Sequence, residues 1–177
     1  MDINYTISKA QKDDVSTVGA IYEKIHVQEA LGKMHTGWLK GIYPTMKTAF
    51  EAYERNDLFV CRREEIVVAC AIINKVQVDV YSKCEWQYKA DDDKIMVLHT
   101  LVVDPDFSGH GAGRAFVAFY EKYAAENGCT VLRMDTNEKN SAARSLYNKL
   151  GYREAGIFPC VFNGMPDINL VLLEKKI

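Results

Sequence analysis

The segment Asp104-Pro-Asp-Phe-Ser-Gly-His-Gly-Ala-Gly-Arg114 places Gly109, Gly111 and Gly113, three of the chain's eleven glycines, within five residues. Glycine is required where backbone takes a positive φ or lies against a ligand. If a helix opens here, its first amides lack intrahelical partners and carry about half a positive charge from the helix dipole. Such a set of N–H groups is an anion cradle, suited to phosphate or pyrophosphate. A tight turn that needs glycine for sterics alone is the alternative. A dinucleotide fingerprint would need glycine where Arg114 stands, and a P-loop would end in Gly-Lys-Ser/Thr, so neither fits. Arg114 is a cation in a first helical turn, which opposes the dipole by about 0.3–1 kcal/mol and asks for an anionic partner. Asp104, Asp106 or a ligand phosphate would serve.

A cradle of this kind has to be held between a strand and a helix. Ile95–Val103 reads as a nine-residue strand, stopped by Asp104-Pro105 because proline cannot donate to a ladder. Gly113–Asn127 reads as a helix with Phe116, Val117, Tyr120, Tyr123 and Ala124 on one stripe and Gly128 as its C-cap. Thr130–Met134 is a short strand, Asn140 is an N-cap for a helix through Leu150, and Tyr152–Ile157 and Ile168–Leu173 are closing strands. Upstream, Tyr5–Ser8 is a short strand, and Asp13-Asp14 opens a helix marked by Val15, Val18, Ile21, Tyr22 and Ile25. The spacing fails from His26 to Thr45, where irregular structure is expected. Thr45–Arg55 is again helical, with Met46, Phe50 and Tyr53 on one side. Leu58–Arg62 and Ile66–Lys75 form a hairpin around Arg63-Glu64-Glu65, and Val76–Asp93 is the least legible stretch. The resulting order, β-α-α-β-β-β-α-β-α-β-β, is an α/β class with a mixed sheet.

The chain has 177 residues, the size of a single domain spanning 1–177. Its 48% hydrophobic and 26% charged residues exclude disordered and disulfide-scaffold classes. Lys plus Arg is 22 against 24 for Asp plus Glu, so the basic excess that a nucleic-acid surface needs is missing. The five cysteines are odd in number and none forms a C-x-x-C pair, so no metal site is expected. Met1 to Ala10 lacks a basic start with an apolar stretch, and no apolar run approaches about 18 residues. A cytoplasmic protein without a membrane partner is expected.

Two motifs in sequence resemble the GNAT superfamily of acyl-CoA-dependent N-acetyltransferases. The first is Leu101-Val-Val-Asp-Pro105 followed by Ser108-Gly-His-Gly-Ala-Gly113, and the second is Asn140-x-x-Ala143-x-x-x-Tyr147-x-x-x-Gly151-Tyr152. The similarity is strong from Ile95 to Gly156, and the order of elements fits the whole length. Ser108 departs from the pattern, which has Arg or Gln there. Trp38, Tyr43-Pro44-Thr45 and the long strand with His99 also resemble an uncharacterised bacterial subgroup. The resemblance implies a mixed, mostly antiparallel sheet flanked by helices, with acetyl-CoA as co-substrate. It implies that Leu101, Val102 and Val103 pair through their backbone with the pantetheine arm. Ser108, Gly109, His110, Gly111, Ala112, Gly113 and Arg114 would then hold the pyrophosphate, with Asn140, Ala143 and Tyr147 along the arm. Members commonly form homodimers, which nothing in this sequence makes legible.

The implied activity is direct acetyl transfer to a primary amine, on a small molecule or an exposed amino group. An amine with a pKa near 10.4 is neutral in only about one molecule in two thousand at pH 7, so losing its proton costs roughly 4–5 kcal/mol unless a base assists. Tyr147 matches the family's proton donor to the leaving thiolate; a helix-face aromatic in the core is the alternative. His99 is a candidate base or a core histidine, and Glu85 is a second candidate base. A backbone amide at Val102 or Val103 would stabilise the oxyanion. Trp38, Tyr43, Tyr81, Trp86 and Tyr88 either line an acceptor pocket or plug the core. Two rival functions use the same residues: a non-catalytic acyl-CoA sensor or regulatory module, and an interaction domain whose glycine turn is purely structural.

Overall fold

Seven strands, β1 (Tyr5–Lys9), β2 (Leu58–Arg63), β3 (Ile66–Asn74), β4 (Ile95–Val103), β5 (Val131–Asn137), β6 (Arg153–Phe162) and β7 (Met165–Lys176), form one sheet. Their spatial order is β1-β2-β3-β4-β5-β7-β6. Every neighbouring pair is antiparallel except β4 and β5. Among the described residues four α-helices flank the sheet: α1 (Asp14–Ala30), α2 (Met46–Glu54), α3 (Ala112–Glu126) and α4 (Ser141–Lys149). This computed structural model describes residues 4–177; Met1 to Ile3, part of the stretch read for targeting signals, lie outside the described residues. Among the described residues no helix is long and apolar enough to cross a membrane.

Strand alternation divides the core between the two faces of the sheet. Phe59 and Cys61 of β2 face α3 and α4, where Phe116, Val117, Tyr120 and Tyr147 pack. Leu58 and Val60 face the other way, against Val18, Ile21 and Tyr22 of α1 and Ala49 and Ala52 of α2. Beyond them on this face, Val80, Tyr81, Cys84 and Trp86 cover Ile95, Val97 and Val131.

Strand β4 changes sides part-way along. Met96 and Leu98 belong to the α3 side, yet Val102 lies in the α1 cluster while Leu101 and Val103 pack on the α3 side. The parity flips because the β3–β4 register slips between Ile72↔His99 and Cys70↔Val102, inserting one residue into β4. Thr100, inside this bulge, has φ +52°.

One helical expectation is corrected. Helix α1 runs on to Ala30, and His26 is buried, its Nε2–H donating to the Pro44 carbonyl at 2.8 Å. The first breaker after it is Gly32, at φ +68°. In α2, Met46 and Phe50 are half exposed and Ala49 and Ala52 face the core. The helices approach closely here: the Met46 side chain lies over Gly19 of α1, where there is no room for a Cβ. Strands β5, β6 and β7 are also longer than expected.

The segment after β3 is tied to the sheet by Glu174, which is completely buried. Its carboxylate accepts from the amides of Gln87 and Tyr88, both at 3.0 Å, and pairs with Arg153 Nη2 at 2.8 Å. Arg133, its register partner on β5, stacks 4.1 Å from the centre of the Trp86 ring. A buried carboxylate is tolerated when it is paired and hydrogen-bonded in this way.

Candidate active site

Parallel pairing of β4 with β5 runs from Ile95↔Val131 to Leu98↔Met134 and stops there. From His99 onward the β5-facing side of β4 has no strand partner, so backbone donors and acceptors of Thr100 to Val103 border an opening wedge. A cavity of about 70 Å³ lies in that wedge. Leu98, Thr100 and Leu101 line it from β4, Asp135, Thr136 and Asn137 from β5, and Asn140, Ala143 and Tyr147 from α4. Its roof is the segment after α1, through Thr36, Gly37, Trp38 and Tyr43, and Phe162 and Met165 close it from β6 and β7. Glu29 secures the roof, its carboxylate accepting from the amides of Thr36 at 2.7 Å and Gly37 at 3.0 Å.

The glycine turn sits at the end of the unpaired part of β4. Gly109 and Gly111 have φ of +80° and +91°, the left-handed region that glycine alone enters freely. Gly113 lies inside α3, where a Cβ would meet Leu146 Cδ2 at 3.4 Å and Val103 Cγ2 at 3.7 Å, ordinary contact distances. Among the described residues the amides of Gly109 to Arg114 have no protein acceptor, and no side chain caps α3. The Tyr5 hydroxyl steadies the turn by donating to the His110 carbonyl at 2.9 Å, and the His110 ring is exposed. Ser108 donates its hydroxyl to the Pro105 carbonyl at 3.0 Å.

Both acids that would have satisfied Arg114 are taken. Lys24 of α1 lies 2.8 Å from Asp104 and 2.6 Å from Asp106. Arg114 is exposed and pairs with no acid among the described residues. Six free amides and an unpaired guanidinium fit an anionic ligand.

Tyr147 is 6% exposed and lines the cavity, and its hydroxyl has no protein partner among the described residues. Burial pushes its pKa well above the usual phenol value, so it stays protonated. Asn140 caps α4, its Oδ1 accepting from the Ala143 amide at 3.2 Å, which holds Tyr147 two turns further along.

Sequence reasoning missed Asp135. Its carboxylate lines the same cavity as Tyr147, accepts from the Tyr81 hydroxyl at 2.7 Å, and is pushed up to about 6 by burial, with the Tyr81 bond opposing. The available signal was an acid at the carboxyl end of a strand, where open α/β sheets place their ligands. Ending the strand at Met134 left Asp135 reading as a loop residue.

The candidate bases named from sequence are not at this cavity. His99 lies on the other side of β4, lining a neighbouring groove of about 770 Å³. Tyr43 and Phe162 line both spaces, with ring centroids 5.6 Å apart. Glu85 is exposed and does not line the cavity. Of the five aromatics, Trp38 and Tyr43 reach the cavity, whereas Tyr81 and Trp86 are buried in the core beside it. No cysteine lines the cavity, and burial raises Cys61 to about 11, away from the thiolate form.

The profile of the Acetyltransferase (GNAT) family matches residues 27–152. An uncharacterised N-acetyltransferase of Methanocaldococcus jannaschii is 26% identical over 150 residues, covering 85% of this chain and 61% of that protein. The ribosomal protein bS18-alanine N-acetyltransferase of Escherichia coli is 35% identical over 60 residues, covering 34% of this chain and 40% of that protein. In both cases the match spans less than two thirds of the relative's length. A GNAT family acetyltransferase of Streptococcus agalactiae has a similar fold, with a TM-score of 0.80 at 18% identity over 98% of this chain and 95% of that one. So does yncA of Salmonella typhimurium, solved with its cofactor acetyl-CoA, with a TM-score of 0.70 at 17% identity over 97% and 93%.

Proposed function

Because this chain belongs to the GNAT acetyltransferase family, we propose that it moves an acetyl group from acetyl-CoA directly to a primary amine. The observation that carries this reading is the meeting of Tyr147 and Asp135 on one cavity in the β4–β5 wedge, beside a run of unpartnered amides. Gly109 to Arg114 would hold the diphosphate, and the free backbone edge of Leu101 to Val103 would hold the pantetheine arm. Bound acetyl-CoA supplies an activated acyl carbon and a thiolate leaving group.

The residues of the chain handle the protons and the charge. Asp135, ionised above its raised pKa of about 6, takes a proton from the bound ammonium, so that the neutral amine attacks the thioester carbonyl. An amide of the β4 edge, at Val102 or Val103, donates to the oxyanion. After the carbon–nitrogen bond has formed, Tyr147 donates its hydroxyl proton to the sulfur as the carbon–sulfur bond breaks, and the second proton shed by the nitrogen restores the phenol. The roof formed by Trp38 and Tyr43 keeps water from the acyl carbon. The acceptor arrives from the groove beyond Tyr43 and Phe162, so His99 meets it before it reaches Asp135.

Purified protein mixed with acetyl-CoA and a panel of primary amines should release free thiol. Tyr147→Phe should lower kcat by about 10²–10³-fold while calorimetry finds CoA affinity unchanged. Wild-type protein that binds CoA but acetylates no acceptor would overturn the enzyme in favour of an acyl-CoA sensor.

A further inference from the structure

A chain of hydrogen bonds runs from the end of α2 to His99. Arg55 donates to Asp57, Nε to Oδ2 at 3.1 Å and Nη2 to Oδ1 at 3.3 Å. Asp57 is buried, and its Oδ2 also accepts from Asn74 Nδ2 at 2.8 Å. Asn74 Oδ1 accepts from the Val76 amide at 2.9 Å and lies 3.0 Å from His99 Nε2. A main-chain N–H can only donate and a carboxylate can only accept, so the orientation of the Asn74 amide is fixed from both ends. Its oxygen faces the imidazole, and Nε2 therefore carries the proton. In a neutral ring the other nitrogen, Nδ1, is then a lone-pair acceptor.

The ring does stay neutral. Burial pulls its pKa down to about 4, against smaller opposing effects of the Val76 backbone and Asp57. The Val76 carbonyl lies near enough to the ring to raise its pKa, but no group among the described residues makes a hydrogen bond of normal geometry to Nδ1, which is not among the fully enclosed orphan atoms. The ring faces the groove that shares Tyr43 and Phe162 with the wedge cavity. Glu51, Arg55, Asp79 and Lys83 balance in sign along this groove, and the rest of its lining mixes apolar side chains such as Val161, 72% exposed, with Thr48, Gln77 and Asn163.

We propose that His99 is a specificity-determining residue whose Nδ1 receives an N–H or O–H donor of the acceptor substrate, and that Asn74 and Asp57 are the positioning residues that hold it so. This rests on the transferase reading and names its substrate class: an amine that also carries an amide or hydroxyl donor. A substrate that offers only an acceptor at that point leaves Nδ1 without a partner and binds less well.

Nitrogen-15 NMR of the full chain at pH 7 reads the tautomer directly. The wild type should show His99 protonated at Nε2, and Asp57→Asn and Asn74→Leu, checked for folding by circular dichroism, should mix the tautomers. A wild-type ring protonated at Nδ1, or a tautomer indifferent to both substitutions, overturns the proposal. Acetyl transfer to valinamide and to valine N,N-dimethylamide reads the function. His99→Leu should raise KM for valinamide about three- to tenfold, the loss expected for one neutral hydrogen bond, and leave the dimethylamide within about twofold. His99→Asn, whose Oδ1 stands near the place of Nδ1, should restore it. Equal losses on both substrates, or no rescue, overturn the proposal. If neither amide is acetylated, valinamide added to the protein with CoA should still move the Nδ1 resonance; a resonance that does not move overturns the His99 assignment separately from the transferase reading.

Discussion

Tyr81 donates its hydroxyl to Asp135 Oδ2 across 2.7 Å, joining the turn Asp79–Lys83 to the end of β5. Two opposed effects act on that carboxylate. Burial raises its pKa and the Tyr81 bond lowers it, and burial is larger, leaving the group at about 6. A base has to be ionised to work, so turnover should rise with pH through about 6 and level off above it. Tyr81→Phe removes the lowering contribution and should move that limb to higher pH. A pH–rate profile of kcat for both proteins checks this, and a limb that stays in place would remove Asp135 from the base role.

Asp135→Asn separates catalysis from stability. The folded carboxyl titrates near 6 and the unfolded one near about 3.9, so the folded state binds more protons between these values. Stability therefore falls as pH rises through that window, and the ionised group is a cost above it. The neutral amide escapes that cost. The variant should melt a few degrees higher than wild type at pH 8, on the order of 2–4 °C per kcal/mol, and the gain should vanish near pH 4. Turnover should fall by about 10²–10⁴-fold. Melting curves at the two pH values and an assay at pH 8 test both halves.

The elements around the glycine turn were legible because each carries a local signal: Pro105 stops β4, Gly109 and Gly111 shape the turn, and Asn140 caps α4. The cavity was half legible for the same reason, since Tyr147 rides on a capped helix of readable period. Asp135, Thr100 and Glu174 were not legible. Their importance comes from strand pairing, where β4 parts from β5 and where β5 meets β7, and pairing depends on residues distant in sequence. On α2 the fully buried residues are Ala49 and Ala52, while Met46 and Phe50 are half exposed and the Met46 side chain lies over Gly19 of α1.

Lys24 holds Asp104 and Asp106, so among the described residues no acid pairs with Arg114. Arg114→Ala should weaken CoA binding about three- to tenfold at low salt, the scale of one charge-assisted contact at an exposed site. The difference should shrink as salt rises from about 0.05 to 0.5 M, because screening acts on exposed pairs. Dephospho-CoA and pantetheine separate the sites, since only pantetheine lacks the diphosphate. Calorimetry in which Arg114→Ala weakens pantetheine as much as CoA would place the guanidinium elsewhere.

Glu174 links the groove to the sheet without touching either substrate site. Its carboxylate holds the Gln87 and Tyr88 amides and pairs with Arg153, whose side chain is 40% exposed. Glu174→Gln keeps the volume but removes the charge, leaving Arg153 and the neighbouring Arg133 without their carboxylate. The cost should be about 2–4 kcal/mol, toward the low end for a buried pair because one partner reaches solvent. The segment it tethers continues back through Gln77, Val78, Asp79, Val80 and Lys83, which line the groove. Loosening it should raise the acceptor KM several-fold while CoA affinity, set at the far side of β4, stays within about twofold. Chemical denaturation gives the first quantity, and a KM measurement beside CoA calorimetry gives the others. An equal loss in both affinities would mean that the whole sheet, rather than the tethered segment, had moved.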